Sequence, residues 1–169
     1  MRNSQFEGIV QGLTVVIADH NQFMRRLTRG MLTNLGVRTV IEAADGLAAL
    51  EAIRTCDPDV MFLDWNLPVL EGEEVIRIVR SPGVFPRPNL PIVMLTNRTQ
   101  RTCVMKALRA GVHEFLVKPT SPQALRDRLT AIMLKPRQMV KLGDFYVPQP
   151  RRLLDNTAAA EAARAAAQA

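Results

Sequence analysis

Four polar residues with complementary chemistry stand at the ends of short apolar runs. They are Asp19 after LTVVIA, Asp64 after DVMFL, Thr96 at the end of PIVMLT, and Lys118 after EFLV. A pair of carboxylates suits a hard divalent cation such as Mg²⁺, whereas a hydroxyl and an ammonium suit the oxygens of a phosphoryl group. An aspartate can also accept that group as a nucleophile. Together these residue types predict a phosphoryl acceptor site, because phosphoryl transfer depends mainly on positioning and charge neutralisation.

The hydropathy pattern around these residues predicts the framework that positions them. Short apolar runs alternate with longer amphipathic runs between residues 13 and 134, in five successive βα units. This alternation predicts an α/β fold: a flavodoxin-like, doubly wound, five-stranded parallel sheet in the order 2-1-3-4-5 with five helices. The predicted strands span residues 13–19, 37–43, 59–65, 91–96 and 114–117, and a helical pattern follows each of them.

The predicted strand order brings the two carboxylates together. In an open parallel sheet the working site lies beyond the carboxyl ends of the strands, at the point where the strand order reverses. The first and third strands are neighbours there, so Asp19 and Asp64 converge on one edge. Two carboxylates at the end of buried strands are costly to desolvate unless a cation or hydrogen bonds compensate them. We therefore expect a magnesium ion at this edge.

Four segments together resemble the receiver domain of two-component response regulators, including the stand-alone chemotaxis type. They are IAD (17–19), LDWNLPVLEG (63–72), VMLTN (93–97) and FLVKP (115–119). Each segment is a weak signal alone, but all four occur in order and each lies at the end of the matching strand. The resemblance covers roughly residues 13–134. It implies a phosphoprotein of phosphorelay signal transduction.

The resemblance also implies a role for each site residue. Asp64 is the phosphoacceptor and a metal ligand, and Asp19 is an acidic residue of the metal site. Asn66 offers its backbone carbonyl to the metal. Thr96 is the switch hydroxyl that moves toward the phosphoryl group, and Lys118 contacts the phosphoryl oxygens.

Two further positions follow from the same resemblance. Phe115 takes the place of the switch aromatic, which is often a tyrosine, and also packs in the core. The Lys118-Pro119 peptide is expected to be cis, as is usual in the family, because proline makes that isomer inexpensive. His113 is a lone histidine ahead of a strand and is expected on the surface.

His20 is the main departure from the family pattern. It stands directly after Asp19, where the family usually has a second acid that contacts the metal. Mg²⁺ prefers oxygen donors and rarely selects imidazole. We therefore expect an atypical metal site that binds Mg²⁺ weakly but still supports phosphorylation, because Asp64, Thr96 and Lys118 are retained.

Composition narrows the class of protein. The net charge is +6, but the excess is shared equally between residues 135–169 and the rest of the chain, without a polybasic block. This distribution favours a solvated basic surface over a nucleic-acid groove. Cys56 and Cys103 lie far apart, which indicates a reducing compartment rather than a disulfide or zinc scaffold. The N-terminus lacks the long apolar core of a signal peptide, and no segment approaches the length of a membrane span. A cytoplasmic protein is therefore expected.

The segments outside the repeat predict the domain organisation. Residues 1–12 are interpreted as an N-terminal extension, 13–134 as the receiver domain, and 135–169 as a tail without a recognisable effector domain. Within the tail, QMVKLGDFYVP is a candidate hairpin around Gly143-Asp144. The proline-rich stretch 81–91 is expected to be an extended connection rather than a helix.

Three functions remain in competition. The first is a phosphorylation switch rather than a turnover enzyme. It takes its phosphoryl group from a histidine kinase or a histidine phosphotransfer protein and signals to a downstream protein as a monomer or weak dimer. The second is a pseudo-receiver, an interaction module that works without phosphorylation, and His20 favours it. The third, an enzyme of similar topology, is disfavoured because HNQFMRR after the first strand is not a phosphate-binding loop.

Overall fold

A computed structural model describes residues 2–149 of the chain, with side chains described from Ser4 onward. The latter part of the predicted tail, 150–169, lies outside the described residues.

Five parallel strands form the centre of the molecule. They are β1 (Thr14–Ala18), β2 (Thr39–Ala43), β3 (Val60–Leu63), β4 (Ile92–Thr96) and β5 (Glu114–Val117). Their order in the sheet is β2-β1-β3-β4-β5, and every neighbouring pair is parallel. This confirms the predicted fold class. The inner strands β3 and β4 are buried along their whole length because helices cover both faces of the sheet.

Six helices accompany the sheet. They are α1 (Arg2–Val10), α2 (Gln22–Asn34), α3 (Gly46–Cys56), α4 (Gly72–Arg80), α5 (Arg101–Ala110) and α6 (Pro122–Leu134). Side chains cap the first turns of three of them, since Asn21, Asp45 and Ser121 each accept a hydrogen bond from the backbone N–H three residues later. Pro122, which directly follows the Ser121 cap, lies in the first turn of α6.

The prediction of five helices was one too few. Residues 1–12 were expected to be a simple extension, but α1 occupies most of that segment and packs on the domain. Phe6 and Val10 lie one turn apart on the same face of α1 and are buried. They join the core cluster that contains Leu13 and Leu32, and the guanidinium of Arg126 lies 4.7 Å from the centre of the Phe6 ring.

Alternating strand residues divide the core into two layers. From β1, Val16 and Ala18 point into the layer beneath α3 and α4, whereas Val15 and Ile17 point into the layer beneath α1, α2 and α6. Strand residues point alternately to opposite faces, so a single apolar run supplies both layers.

The predictions for the remaining segments are confirmed in part. Residues 81–91 contain no helix, as predicted, but they form turns and bends rather than an extended connection. The candidate hairpin is present as β6 (Met139–Leu142) paired antiparallel with β7 (Phe145–Pro148), and Gly143 adopts a positive φ of 62° in the turn. β7 lies against α4.

The expectation for His113 was wrong, because this residue is buried beside the buried Arg80. Arg80 Nη2 and the Ile92 N–H approach His113 Nδ1 at 3.2 and 3.3 Å. Both groups are donors, so Nδ1 is an acceptor and the ring carries no proton there. Arg80 also donates to the carbonyl of Gly111 through Nε and Nη2, at 3.0 and 2.9 Å, and to that of Pro88 at 2.7 Å. Burial lowers the pKa of Arg80 to about 9.

Candidate functional site

Three strand ends place the central residues of the site at one edge of the sheet. Asp19 follows β1, Asp64 follows β3 and Lys118 follows β5. The pairing of β1 with β3 continues one residue beyond the strands, because the Asp64 N–H donates to the carbonyl of Ala18 at 2.8 Å. The predicted convergence of the two aspartates is thus produced by the register of adjacent strands.

Lys118 bridges the two aspartates. Its Nζ contacts Oδ2 of Asp19 and lies 3.0 Å from Oδ2 of Asp64. Both carboxylates are buried, and the lysine side chain is only 12% exposed. One ammonium offsets the desolvation of two carboxylates only in part. The trio therefore carries one uncompensated negative charge, which favours a further cation.

His20 lies on the solvent side of the same carboxylates. Its Nδ1 is 3.8 Å from Oδ1 of Asp19, 3.7 Å from Oδ2 of Asp64 and 3.1 Å from the carbonyl oxygen of Asn66. Ligand atoms of Asp19, His20 and Asp64 all lie within 4.8 Å of one another, as in a site that could hold a metal ion. The three groups predicted to bind the metal, Asp19, Asp64 and the Asn66 carbonyl, therefore surround Nδ1 of His20.

The oxygen donors of this site fit a divalent cation. Two carboxylates and one backbone carbonyl meet at one point and form the kind of oxygen cluster that Mg²⁺ uses, with water completing its octahedron. Imidazole is the only donor in the set that Mg²⁺ does not favour.

The loop after β1 is held by its own polar contacts. The Asn21 N–H donates to Oδ1 of Asp19 at 2.8 Å. Arg25, from the first turn of α2, donates to the backbone carbonyl of Asp19 at 2.7 Å and also pairs with Glu42 of β2. The sequence analysis missed Arg25, since only the folded loop shows that its guanidinium faces the backbone of the site.

Two glycines allow the loop after β3 to fold tightly against its neighbours. A Cβ on Gly72 would lie 2.4 Å from the carbonyl oxygen of Asp64, and one on Gly46 would lie 2.3 Å from that of Leu70. Neither gap admits a methyl group. Gly72 was part of the segment LDWNLPVLEG, but its steric role is visible only in the structure. The close approach fixes the backbone that carries Asp64 and Asn66.

Thr96 and Phe115 lie on the neighbouring strands β4 and β5. Thr96 ends β4 and is buried, and its hydroxyl accepts a hydrogen bond from the Arg98 N–H at 3.2 Å. Phe115 pairs with Met94, two residues before Thr96 in β4, and packs against the core layer beneath α3 and α4. The Lys118-Pro119 peptide is cis, as predicted.

Comparisons with known proteins agree with this architecture. Residues 15–130 match the family model of the response regulator receiver domain. The chain is 34% identical over 122 residues to chemotaxis protein CheY1 of Helicobacter pylori, a match that covers 72% of this chain and 97% of that protein. It is 31% identical to chemotaxis protein CheY-3 of Vibrio cholerae, covering 72% and 92% respectively.

Solved structures share the same fold. Chemotaxis protein CheY4 of Vibrio cholerae superposes with a TM-score of 0.65 at 30% identity, covering 72% of this chain and 98% of that one. The receiver domain of the sensor histidine kinase PA1611 from Pseudomonas aeruginosa, which has a magnesium ion coordinated in its active site cleft, gives a TM-score of 0.64 at 28% identity, covering 70% and 95%. Among the described residues, no helix is long and apolar enough to cross a membrane.

Proposed function

Because this chain belongs to the response regulator receiver family, we propose that it acts as a response regulator that accepts a phosphoryl group on Asp64. The donor is a histidine kinase or a histidine phosphotransfer protein, and the output is binding to a downstream protein in the cytoplasm. The observation that carries this proposal is the buried Asp64 carboxylate, held 3.0 Å from Lys118 Nζ and beside Asp19.

The proposed reaction transfers the phosphoryl group from a phosphohistidine nitrogen to a carboxylate oxygen of Asp64. The phosphorus–nitrogen bond breaks as the phosphorus–oxygen bond forms, and the leaving imidazole of the donor takes up a proton. Lys118 is proposed to neutralise charge on the transferred oxygens, and its contact with Asp64 supports this role. Asp19, Asp64 and the Asn66 carbonyl would hold a divalent cation, which would supply further charge neutralisation.

The switch step is proposed to involve Thr96. Its hydroxyl accepts a hydrogen bond from the Arg98 N–H, and its own hydrogen can be donated to a phosphoryl oxygen. Movement of the hydroxyl toward the phosphoryl group would lengthen or break the bond from Arg98 and change the surface that begins α5. Phe115 lies on the adjacent strand and would adjust its packing to the new position of Thr96.

A pseudo-receiver is the second candidate function, and one observation favours it. His20 Nδ1 lies 3.1 Å from the Asn66 carbonyl, which is one of the oxygens that a cation would use. If the imidazole permanently occupied that side of the site, the domain would bind partners without phosphorylation.

Intact mass spectrometry separates the two candidates. The protein is incubated with acetyl phosphate, in parallel reactions with Mg²⁺ and with Mn²⁺. The proposal predicts the mass of one added phosphoryl group in the wild type and none in Asp64→Asn, whose amide is a matched but non-nucleophilic control. A wild type that remains unmodified with both cations, or an adduct that persists in Asp64→Asn, would overturn the acceptor function.

A further inference from the structure

The position of His20 carries an inference about which cation this site selects. We propose that His20 is a metal ligand and that the site prefers a first-row divalent transition ion over Mg²⁺. This inference rests on the function proposed above, in which cation binding is one step. Cation binding can be measured without any phosphoryl donor.

Geometry places His20 in the ligand set rather than beside it. At coordination bonds of about 2.1 Å, two ligands at right angles are about 3.0 Å apart and two opposite ligands about 4.2 Å. The distances from His20 Nδ1 to the Asn66 carbonyl, Asp64 and Asp19 are 3.1, 3.7 and 3.8 Å. All three fall between those limits. The ligand atoms of Asp19, His20 and Asp64 lie within 4.8 Å of one another, so the side chains would have to draw together for one ion to contact the nitrogen and the three oxygens.

The donor set decides the class of ion. Imidazole suits first-row transition ions, whereas carboxylate, carbonyl and water are the donors that Mg²⁺ and Ca²⁺ require. Mn²⁺ also takes these oxygen donors but, as a transition ion, bonds to imidazole more readily than Mg²⁺ does. Replacing an acidic ligand by His20 removes one negative charge, which weakens the binding of a purely electrostatic ion. A bond to the imidazole nitrogen recovers part of the lost binding free energy, but only for an ion that binds imidazole strongly. The substitution therefore lowers affinity for Mg²⁺ more than affinity for transition ions.

The remaining charges allow a cation to bind. Lys118 neutralises only one of the two carboxylates, and a neutral imidazole adds no positive charge. The contact of Nδ1 with the Asn66 carbonyl requires a proton on Nδ1, which must move to the other ring nitrogen when Nδ1 binds a metal. Because the His20 side chain is 54% exposed, water can carry that proton. The transfer of this proton between the two ring nitrogens does not require the core to open.

Mn²⁺ is the suitable probe, because it accepts both oxygen and nitrogen ligands and has little affinity for the thiols of Cys56 and Cys103. Titration calorimetry gives the Kd of Mn²⁺ and of Mg²⁺ for the wild type and for His20→Asp, which restores an all-oxygen site. Trp65, the single tryptophan, directly follows Asp64 and provides a second readout through its fluorescence. The quantity of interest is the Mg²⁺-to-Mn²⁺ ratio of Kd in each protein, because general affinity differences cancel.

The proposal predicts a Mg²⁺-to-Mn²⁺ ratio about tenfold larger in the wild type than in His20→Asp, as expected for the loss of one selective ligand. Pulsed electron paramagnetic resonance of the Mn²⁺ complex should show coupling to a ¹⁴N nucleus in the wild type and none in His20→Asp. Equal ratios in the two proteins, or a wild-type spectrum without nitrogen coupling, would overturn the assignment of His20. The proposed function fails by a different result, which is an unphosphorylated Asp64 with either cation.

Discussion

Arg80 is a buried cation and Lys118 is a largely buried one, but they lie at opposite edges of the same sheet and have different partners. Lys118 follows β5 and contacts two carboxylates, those of Asp19 and Asp64. Arg80 ends α4 at the other edge. Its partners within residues 2–149 are the carbonyls of Gly111 and Pro88 and the ring of His113, all of them uncharged acceptors.

The difference shows how the same charge can serve two purposes. Lys118 reduces the repulsion of two carboxylates and leaves a net negative site that attracts a cation and stabilises a phosphoryl group. Arg80 has no charge to balance, so its donors act by satisfying carbonyls that would otherwise be buried without a partner. Its pKa of about 9 leaves it protonated at neutral pH. Burial of a cation alone therefore does not indicate a site, whereas converging carboxylates do.

The largest effect on stability is expected from Arg80→Met, which tests the structural half of this comparison. The variant fills similar volume but leaves the Gly111 and Pro88 carbonyls without donors, at a cost of about 1–3 kcal/mol for each. We expect urea denaturation to show a loss of about 3 kcal/mol or more in the free energy of unfolding. Arg80→Lys keeps the charge but cannot reproduce the two bonds to Gly111, and should lose nearly as much. Full stability of Arg80→Lys would mean that charge, not donor geometry, matters there.

Lys118→Met tests the other half of the comparison, the functional role proposed for Lys118. Loss of one preorganised cation beside the phosphoryl group should slow phosphorylation by acetyl phosphate about 100-fold or more. The two carboxylates would also repel each other, so stability should fall, and an added divalent cation should restore it. The same cation should stabilise Arg80→Met only as much as it stabilises the wild type, because Arg80 has no carboxylates at its site. A gain for Lys118→Met no larger than the gain for the wild type, or a gain for Arg80→Met well above it, would contradict the proposed division between the two edges.

A smaller effect is expected from His20→Asp, which adds a third carboxylate to the Lys118 edge. The added charge and oxygen ligand should tighten Mg²⁺ binding about tenfold. Titration calorimetry measures this directly, and His20→Ala serves as the control that removes the imidazole without adding a ligand. Unchanged Mg²⁺ affinity in His20→Asp would show that residue 20 does not face the metal.

The smallest effect is expected from deletion of residues 136–169, which removes the hairpin near the Arg80 edge. The βα core closes without this segment, so the melting temperature should remain within a few degrees, equivalent to about 1 kcal/mol. The contact of β7 with α4 accounts for that small loss. A collapse of stability comparable to that of Arg80→Met would show that the hairpin belongs to the domain core.

The two edges also differ in how well the sequence predicts them. Continuous apolar runs define the strands, and Asp19, Asp64 and Lys118 directly follow those runs, so their convergence could be predicted from local pattern and strand order. Arg80 could not be recognised, because its partners are backbone carbonyls up to 31 residues away and carbonyls leave no trace in side-chain pattern. His113 was wrongly expected on the surface, because its partners, Arg80 and the Ile92 N–H, are also distant in the sequence. Helix α1 was missed because two buried apolar residues, Phe6 and Val10, are too few to show a helical period in the sequence.

The central claim is that Asp64 accepts the phosphoryl group, and chemical mapping tests it most directly. An aspartyl phosphate is an acyl phosphate, and borohydride reduces it to the alcohol, which leaves homoserine at the modified position. Peptide mass spectrometry after treatment with acetyl phosphate, a divalent cation and borohydride should find homoserine at position 64, and Asp64→Asn should give none. Homoserine at position 19 instead, or an unmodified Asp64 in a phosphorylated sample, would contradict the account.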